Sequence, residues 1–283
     1  MLSANWNGSG GGNMKDMKVF VYADPYLPDE RIRSTLHDIQ KYFAVVPEPE
    51  SAELIFVLGG DGAMLDAIRA YHSYHLPFFG VNFGGVGFLL NDTKYLIEDD
   101  MDNAVRMSDS IDFPLMDVSV TMESGEVAKT FAFNDVYTQP GKAHTCCHRI
   151  LINGEDLMAE FDEPVLRGNG IIYATPGGCT AYSYFAGGVY TLPDQGQFVL
   201  TPNVATRPNF HRFRSRAIPD SSIVTIELLE RHRRMQYIIA DNQGFENAVS
   251  ATITRSTETV RLTFLKRFHY YEKVIRSFSY NGR

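Results

Sequence analysis

The sequence predicts an α/β domain followed by a β-rich domain. Strand-like and helix-like runs alternate from residue 17 to about 110, and after "DFPLMDVSVTM" short strands with turn punctuation take over. A chain of 283 residues is long enough to give each part its own core.

In order, "KVFVYA" reads as a strand, "DERIRSTLHDIQKYFAV" as a helix, "ELIFVLGG" as a strand, "AMLDAIRAYHSY" as a helix, "FFGVNF" as a strand and "KYLIEDDMDNAVRM" as a helix. Alternation at these lengths is that of parallel strands joined by crossover helices. In the second part, "RILINGEDLMAEF" places an Asn153-Gly154 turn between two alternating runs, and "SIVTIELLERHRRMQYIIADNQ" reads as two strands around a charged turn. "TETVRLTFL" closes the strands, and "YYEKVIRSF" at 270–278 reads as a last short helix. The expected organisation is a tail over 1–16, an α/β domain over 17–110, a β-rich domain over 111–265 and a C-terminal segment over 266–283. The "GSGGG" of the tail reads as a flexible stretch or a remnant of cloning, so the fold is expected to begin near Met17.

Composition excludes several classes. No apolar run approaches the roughly 20 residues of a membrane-spanning helix, so no membrane role is expected. With a formal charge of −8 and dense basic groups only at "RFRSR" (212–216) and "RHRR" (231–234), no nucleic-acid partner is expected. Three cysteines, two of them adjacent at Cys146 and Cys147, match neither a disulfide framework nor a zinc spacing, which points to a reducing compartment, the cytoplasm. The N-terminus lacks the basic end and apolar core of a signal peptide.

Three glycine-rich stretches carry the chemistry. In "FVLGGDGAMLDAIRAY" (56–71) a strand runs into Gly59, Gly60, Asp61 and Gly62 and out into a helix. Glycines there let backbone approach a ligand, and the following helix directs free N–H groups and a positive dipole end at it, which suits phosphate. Asp61 in such a loop is read as a base for an attacking hydroxyl or as a magnesium-linked carboxylate; the competing reading is a helix N-cap. In "GVNFGGVGFLLND" (80–92) a second glycine-rich turn follows a strand, expected beside the first at the carboxyl edge of the sheet. "LRGNGIIYATPGGCTAYSYFAGG" (166–188) supplies hydroxyls at Thr175, Thr180, Tyr182 and Ser183 around a Pro176-Gly177-Gly178 turn, with "TAYSYFA" opening a helix. The arginines Arg207, Arg212, Arg214 and Arg216 are read as a solvated basic patch or as local help for anionic substrates.

Taken together and in this order, the stretches resemble the NAD kinase family from about residue 17 to 278. The family pattern is a GGDG loop, a glycine-rich turn, an Asn-Glu pair, a GDG…STPTGSTAY…AGG segment and a late aspartate. Here these appear as Gly59 to Gly62, Gly84 to Phe88, Asn134-Asp135, Gly168 to Gly188 and Asp241. GGDG alone is also similar to phosphofructokinases and to diacylglycerol and sphingosine kinases. "GNGIIYATPGGCTAY" placed about 100 residues later is the more specific feature.

The resemblance implies a Rossmann-like N-terminal domain, a C-terminal β-sandwich, NAD bound between them and a last segment that returns to the first domain. It implies phosphoryl transfer from ATP, or polyphosphate in some members, with magnesium or another divalent cation, to the 2′-hydroxyl of the adenosine ribose of NAD. By the same resemblance Asp61 would act at the transferred phosphoryl group, with Gly60 and Gly62 beside phosphate. Asn134 and Asp135 would meet the adenosine end, and Thr180, Ala181 and Tyr182 would line the adenine and nicotinamide pockets. Leu65 and Phe88 would wall the cleft, Asn169 and Ala205 would border the dinucleotide, and Asp241 would lie near the acceptor end. A homodimer or homotetramer through the β-rich domain is implied as well.

Five positions depart from the family pattern. Asp135 stands for the usual glutamate and Asn169 for an aspartate; Gly178-Cys179 replaces Ser/Thr-rich residues, removing hydroxyls; Phe185 stands where a small or polar residue is common and would narrow the nicotinamide pocket. Two alternatives therefore stand beside the kinase reading: a dinucleotide-binding protein with weak or no turnover, and a related kinase acting on a lipid or sugar hydroxyl.

Overall fold

The computed structural model describes residues 17–93, 101–209, 211–266 and 270–279. They form two compact units, one of residues 17–109 with 263–266, the other of residues 110–262 with the helix Tyr270–Ser279.

In the first unit β1 (Lys18–Ala23), β2 (Ala44–Val45), β3 (Leu54–Gly59), β4 (Phe78–Asn82) and β5 (Asn91–Asp92) run parallel in the order β2-β1-β3-β4-β5. Every residue of β3 is buried, the mark of a central parallel strand covered on both faces. Phe43, Phe56 and Phe79 stack in one run at centroid separations of 5.5 and 5.2 Å. Burying each such ring contributes roughly 2–3 kcal/mol.

Helix α1 (Asp29–Tyr42) carries Asp29 and Glu30 in its first turn and Lys41 in its last, the charge order that suits the helix dipole. Helix α2 (Asp61–Tyr71) follows β3 directly and buries Ala63, Met64, Ala67 and Ile68. Buried Asn91 donates to the carbonyls of Gly80 and Thr263 and accepts the Leu265 N–H, tying 263–265 to β4. Of the helix expected over 94–107, Met101–Arg106 is helical and 94–100 lie outside the described residues, as do the expected tail at 1–16 and parts of the C-terminal segment.

The second unit is two antiparallel sheets packed face to face. One has the order β14-β13-β12-β8-β16-β17, made of Arg216–Pro219, Gln197–Asn203, Gly170–Ala174, Asp135–Pro140, Gln236–Ala240 and Gln243–Phe245. The other is built on β9 (Cys146–Ile152), β15 (Val224–Leu228) and β18 (Ala248–Phe264), with β6 (Asp109–Met122), β7 (Val127–Ala132), β10 (Glu155–Asp156) and β11 (Leu166–Gly168) attached. Val118, Ile150, Ile226 and Ile253 from this sheet meet Tyr173, Phe198, Leu200 and Ile238 from the other in one core.

The Asn153-Gly154 turn forms as read, with both residues at positive φ (53° and 86°) between β9 and β10. The rest of that stretch differs: Leu157–Phe161 is a short 3₁₀ helix capped by the Asp156 carboxylate on the Met158 N–H, so it adds no strand. Nor do β15 and β16 form a hairpin. β15 pairs with β9 and β18, while β16 pairs with β8 and β17, so the charged connection crosses from one sheet to the other.

The helix Tyr270–Ser279, expected to return to the first domain, packs within the second unit. Tyr270 sets its ring edge-on to Phe113 at 5.2 Å, and Phe278 meets Tyr184 and Tyr190 at 4.8 and 4.9 Å.

Candidate active site

The residues singled out by sequence fall into two groups, one in each unit. In the first unit the register that pairs Gly59 with Asn82 brings the two glycine-rich turns side by side. The Phe83 N–H donates to the Gly59 carbonyl at 2.8 Å, and a Cβ added to Gly84 would stand 3.5 Å from the Gly60 Cα. Asn82, which no motif singles out, organises the second turn: its Oδ1 accepts the Gly84 N–H at 2.9 Å and its Nδ2 donates to the Gly85 carbonyl at 3.2 Å. Gly87 sits at φ +58°, with its open side filled by that amide, so no other residue type fits there.

Asp61 is not the helix cap. The N-cap of α2 is Gly60 and no side chain caps it. Instead the Asp61 carboxylate crosses to the second turn, taking the Phe88 N–H on Oδ2 at 3.0 Å and the Leu89 N–H on Oδ1 at 2.8 Å. Two backbone donors fix its plane and leave each oxygen further lone-pair capacity. Gly59 is packed, since a Cβ would lie 2.4 Å from the Ala63 Cβ, whereas among the described residues nothing lies within 4 Å of a Cβ at Gly62 and only the Gly84 Cα, at 4.0 Å, of one at Gly60. The glycine loop thus divides into one packing glycine and two that leave backbone uncovered next to a carboxylate. Leu65 and Phe88 are half-buried.

In the second unit Asn134 and Asp135 lead into β8. The Asp241 carboxylate, at the β16–β17 turn, accepts the N–H groups of Phe133 on Oδ2 (2.9 Å) and of Asn134 and Asp135 on Oδ1 (2.8 and 3.2 Å). Thr175 takes the other side, donating its hydroxyl to the Phe133 carbonyl and its N–H to the Asn134 carbonyl at 2.9 Å. The Thr175 hydroxyl also accepts the N–H groups of Gly177 and Gly178. Burial pushes the Asp135 carboxyl well above the usual carboxylate range, and the charge of Asp241 adds to the rise. The Asn134 Oδ1 is buried without a hydrogen-bond partner.

Tyr182 is partly exposed; its hydroxyl accepts the Asn203 Nδ2 at 2.7 Å and its ring lies edge-on to Tyr137 at 5.0 Å. Asn203 also accepts the Asn169 N–H on its backbone carbonyl at 2.8 Å, which leaves the Asn169 side chain exposed. Thr180 is buried and Ala181 half-buried. Ala205 is buried in the core, with its Cα 2.9 Å from where a Gly168 Cβ would stand.

Several sequence expectations change here. "TAYSYFA" forms only the four-residue helix Tyr182–Phe185, too short to present an N-terminal anion site. Gly178-Cys179 strips no hydroxyl from an open surface. The Cys179 thiol is buried and points at the carbonyls of Pro176 and Thr191, and a Cβ at Gly178 would collide with the Asn134 carbonyl at 2.0 Å. Phe185 is 82% exposed, stacked edge-on to Tyr184, and so stands in solvent. Of the arginine patch, Arg212 donates to the Phe161 carbonyl, and Arg216 pairs with Glu160 at 2.8 Å over the rings of Phe161 and Phe213. Arg207 and Arg214 are exposed.

The family model of the ATP-NAD kinase N-terminal domain matches residues 16–101, and that of the ATP-NAD kinase C-terminal domain matches residues 133–262. The chain belongs to the NAD kinase family. It is 31% identical over 263 residues to an NAD kinase of Rickettsia canadensis, covering 92% of this chain and 98% of that one. It is 29% identical over 254 residues to an NAD kinase of Rickettsia bellii, covering 89% and 94%.

Its fold is similar to yeast NADH kinase complexed with NADH, with a TM-score of 0.74 at 16% identity, covering 96% of this chain and 89% of that one. An NAD kinase from Archaeoglobus fulgidus in complex with ATP gives a TM-score of 0.69 at 18% identity, covering 93% and 99%. The Asp61 loop falls in the stretch matched by the NAD kinase N-terminal domain. The Asn134, Thr175 and Asp241 group falls in the stretch matched by the C-terminal one.

Proposed function

We propose that this protein phosphorylates NAD at the 2′-hydroxyl of its adenosine ribose, with ATP as donor, giving NADP and ADP. The observation that carries the reading is the Asp61 carboxylate, held in a fixed plane by two backbone donors next to the uncovered backbone of Gly60 and Gly62. The bond from the γ-phosphorus to the β–γ bridging oxygen breaks, a bond from that phosphorus to the ribose oxygen forms, and Asp61 takes the hydroxyl proton. Gly60 and Gly62 let backbone N–H groups approach phosphate, while Leu65 and Phe88 give the loop apolar flanks. Asn134, Asp135 and Tyr182 offer the amide, carboxyl and aromatic face that a ribose and base require, with Asn169, Thr180 and Ala181 around them.

Among the described residues, no three His, Cys, Asp or Glu side chains converge as a metal site. Magnesium is assigned to the nucleotide's own phosphate complex as substrate, since that ion is held mainly by phosphate oxygens and water with at most one or two carboxylates. Among the described residues, no helix is long and apolar enough to cross a membrane. We place the protein in the cytoplasm as a homodimer or homotetramer, on its buried free cysteines and its family.

The test is NADP formation from NAD with magnesium-ATP, read by an NADP-specific dehydrogenase, with NAD binding followed in parallel. Turnover supports the kinase. Asn169, exposed where the family has aspartate, favours one second reading, a dinucleotide binder without turnover. Binding with no NADP formed would establish it, and Asn169→Asp would then be the variant to restore turnover.

A further inference from the structure

Six backbone groups of Phe133, Asn134 and Asp135 are hydrogen-bonded to just two residues. Asp241 accepts all three N–H groups on its carboxylate and donates its own N–H to the Asp135 carbonyl at 2.9 Å. Thr175 donates to the Phe133 and Asn134 carbonyls. The side chains of the segment are treated in the opposite way. Among the described residues the Asn134 Oδ1 is buried with no partner, and Asp135 is only 4% exposed, its carboxyl raised by burial and by the Asp241 charge with no hydrogen bond among the causes. A buried polar atom without a partner costs free energy, so a fold keeps one where something else is to bind it.

We propose that Asp241 is a positioning residue: with Thr175 it locks the 133–135 backbone so that the Asn134 amide and the Asp135 carboxyl stay presented, unsatisfied, to the hydroxyl and amino groups of the dinucleotide's adenosine. This rests on the reading of Asn134 and Asp135 as dinucleotide contacts, and it gives Asp241 a different task from contact with the acceptor itself. Two further features fit. Asp241 holds φ +54°, a conformation few residue types other than Gly, Asn and Asp adopt readily, which aims its carboxylate back across the turn. Gly178 lies so close to the Asn134 carbonyl that a Cβ there would stand 2.0 Å from it, closing the segment from a third side.

Asp241→Gly keeps the left-handed backbone and removes the carboxylate; Asp241→Asn keeps that backbone and one acceptor oxygen. Each is assayed for KM toward NAD and toward ATP, for melting temperature and for hydrogen exchange at the 133–135 amides. Asp241→Gly is expected to raise the KM for NAD by about tenfold or more, since misplacement of a contact by about 1 Å costs on that scale. Its KM for ATP should be unchanged, its 133–135 amides should exchange faster, and Asp241→Asn should fall between it and the wild type. A further variant, Asn134→Ala, should raise the KM for NAD, and the double variant with Asp241→Gly should raise it by less than the product of the two single effects, because the two share the Asn134 contact while only Asp241→Gly also disturbs Asp135.

Fully multiplicative effects, or an unchanged KM for NAD in Asp241→Gly, would overturn the proposal. Failure of the underlying reading looks different: Asn134→Ala would leave NAD affinity intact while Asp241→Gly still speeds exchange at 133–135. That result also removes the positioning role. Should Asp241→Gly not fold, Asp241→Asn with intact KM for NAD and faster exchange overturns it equally.

Discussion

The Asp61 carboxylate accepts the Phe88 N–H at 3.0 Å across 27 residues of chain, so the first glycine loop holds the second in place. The Leu89 N–H on the other oxygen completes a two-point tie. A group placed for chemistry is thereby also the group that shapes the loop beside it, and the glycines around it take different tasks.

Gly62 is the clearest case. It lies in the first turn of α2 with open space where a Cβ would go. Gly62→Ala should therefore raise stability, by about 0.5 kcal/mol from the helix preference of alanine over glycine. The added methyl stands where phosphate is proposed to approach, so the KM for ATP should rise. Thermal melts and steady-state kinetics on one preparation show whether the two effects move in opposite directions.

Asp135 sets a pH dependence. Its carboxyl is raised well above 3.8 by burial and then by the Asp241 charge, so the folded state holds its proton more tightly than the unfolded state does. The stability it contributes is whole below about pH 4 and is lost as pH rises through the raised value. Asp135→Asn removes that loss: melting temperatures between pH 4 and 8 should show a flatter profile and a more stable protein at neutral pH. The KM for NAD should rise in the same variant.

Tyr182 and Asn203 form a second coupled pair. The Asn203 Nδ2 donates to the Tyr182 hydroxyl at 2.7 Å, and Tyr182→Phe strands that mostly buried amide, at a cost of about 1 kcal/mol. Asn203→Ala frees the Tyr182 ring and should raise the KM for NAD with kcat less affected. Equal loss in KM for both substrates would contradict this.

The cysteines provide a test of the second unit's packing. All three are buried, and burial pushes the Cys146 thiol up to about 12 and the Cys179 thiol up to about 11. Thiolates are the reactive species, so iodoacetamide at pH 8 should leave the native protein unmodified and label all three sites after denaturation. Rapid native labelling of Cys179 would mean that the 175–180 loop opens.

How much of this was legible in the sequence depends on distance along the chain. The alternation from "KVFVYA" to "FFGVNF" forecasts β1, α1, β3, α2 and β4, because period and glycine punctuation are local signals. The Asn153-Gly154 turn was legible for the same reason. The separation of β15 and β16 into different sheets was not, since pairing partners leave no mark in adjacent residues. Asp61 and Asp241 were both found by motif, yet what their carboxylates hold lies 27 and more than 100 residues away. Thr175 was visible only as one hydroxyl in a loop, and Asn203 carried no signal, because each acts by completing hydrogen bonds that tertiary folding creates.

The role of Asp61 in the chemistry is tested most directly by NADP formation in the wild type and in Asp61→Asn, with NAD affinity measured on both. If Asp61 is the base, kcat falls by about 10² to 10⁴ with NAD affinity largely kept, as loss of a positioned general base gives. Comparable turnover in the variant would show that Asp61 only ties the two loops together and that the chemistry rests on another group.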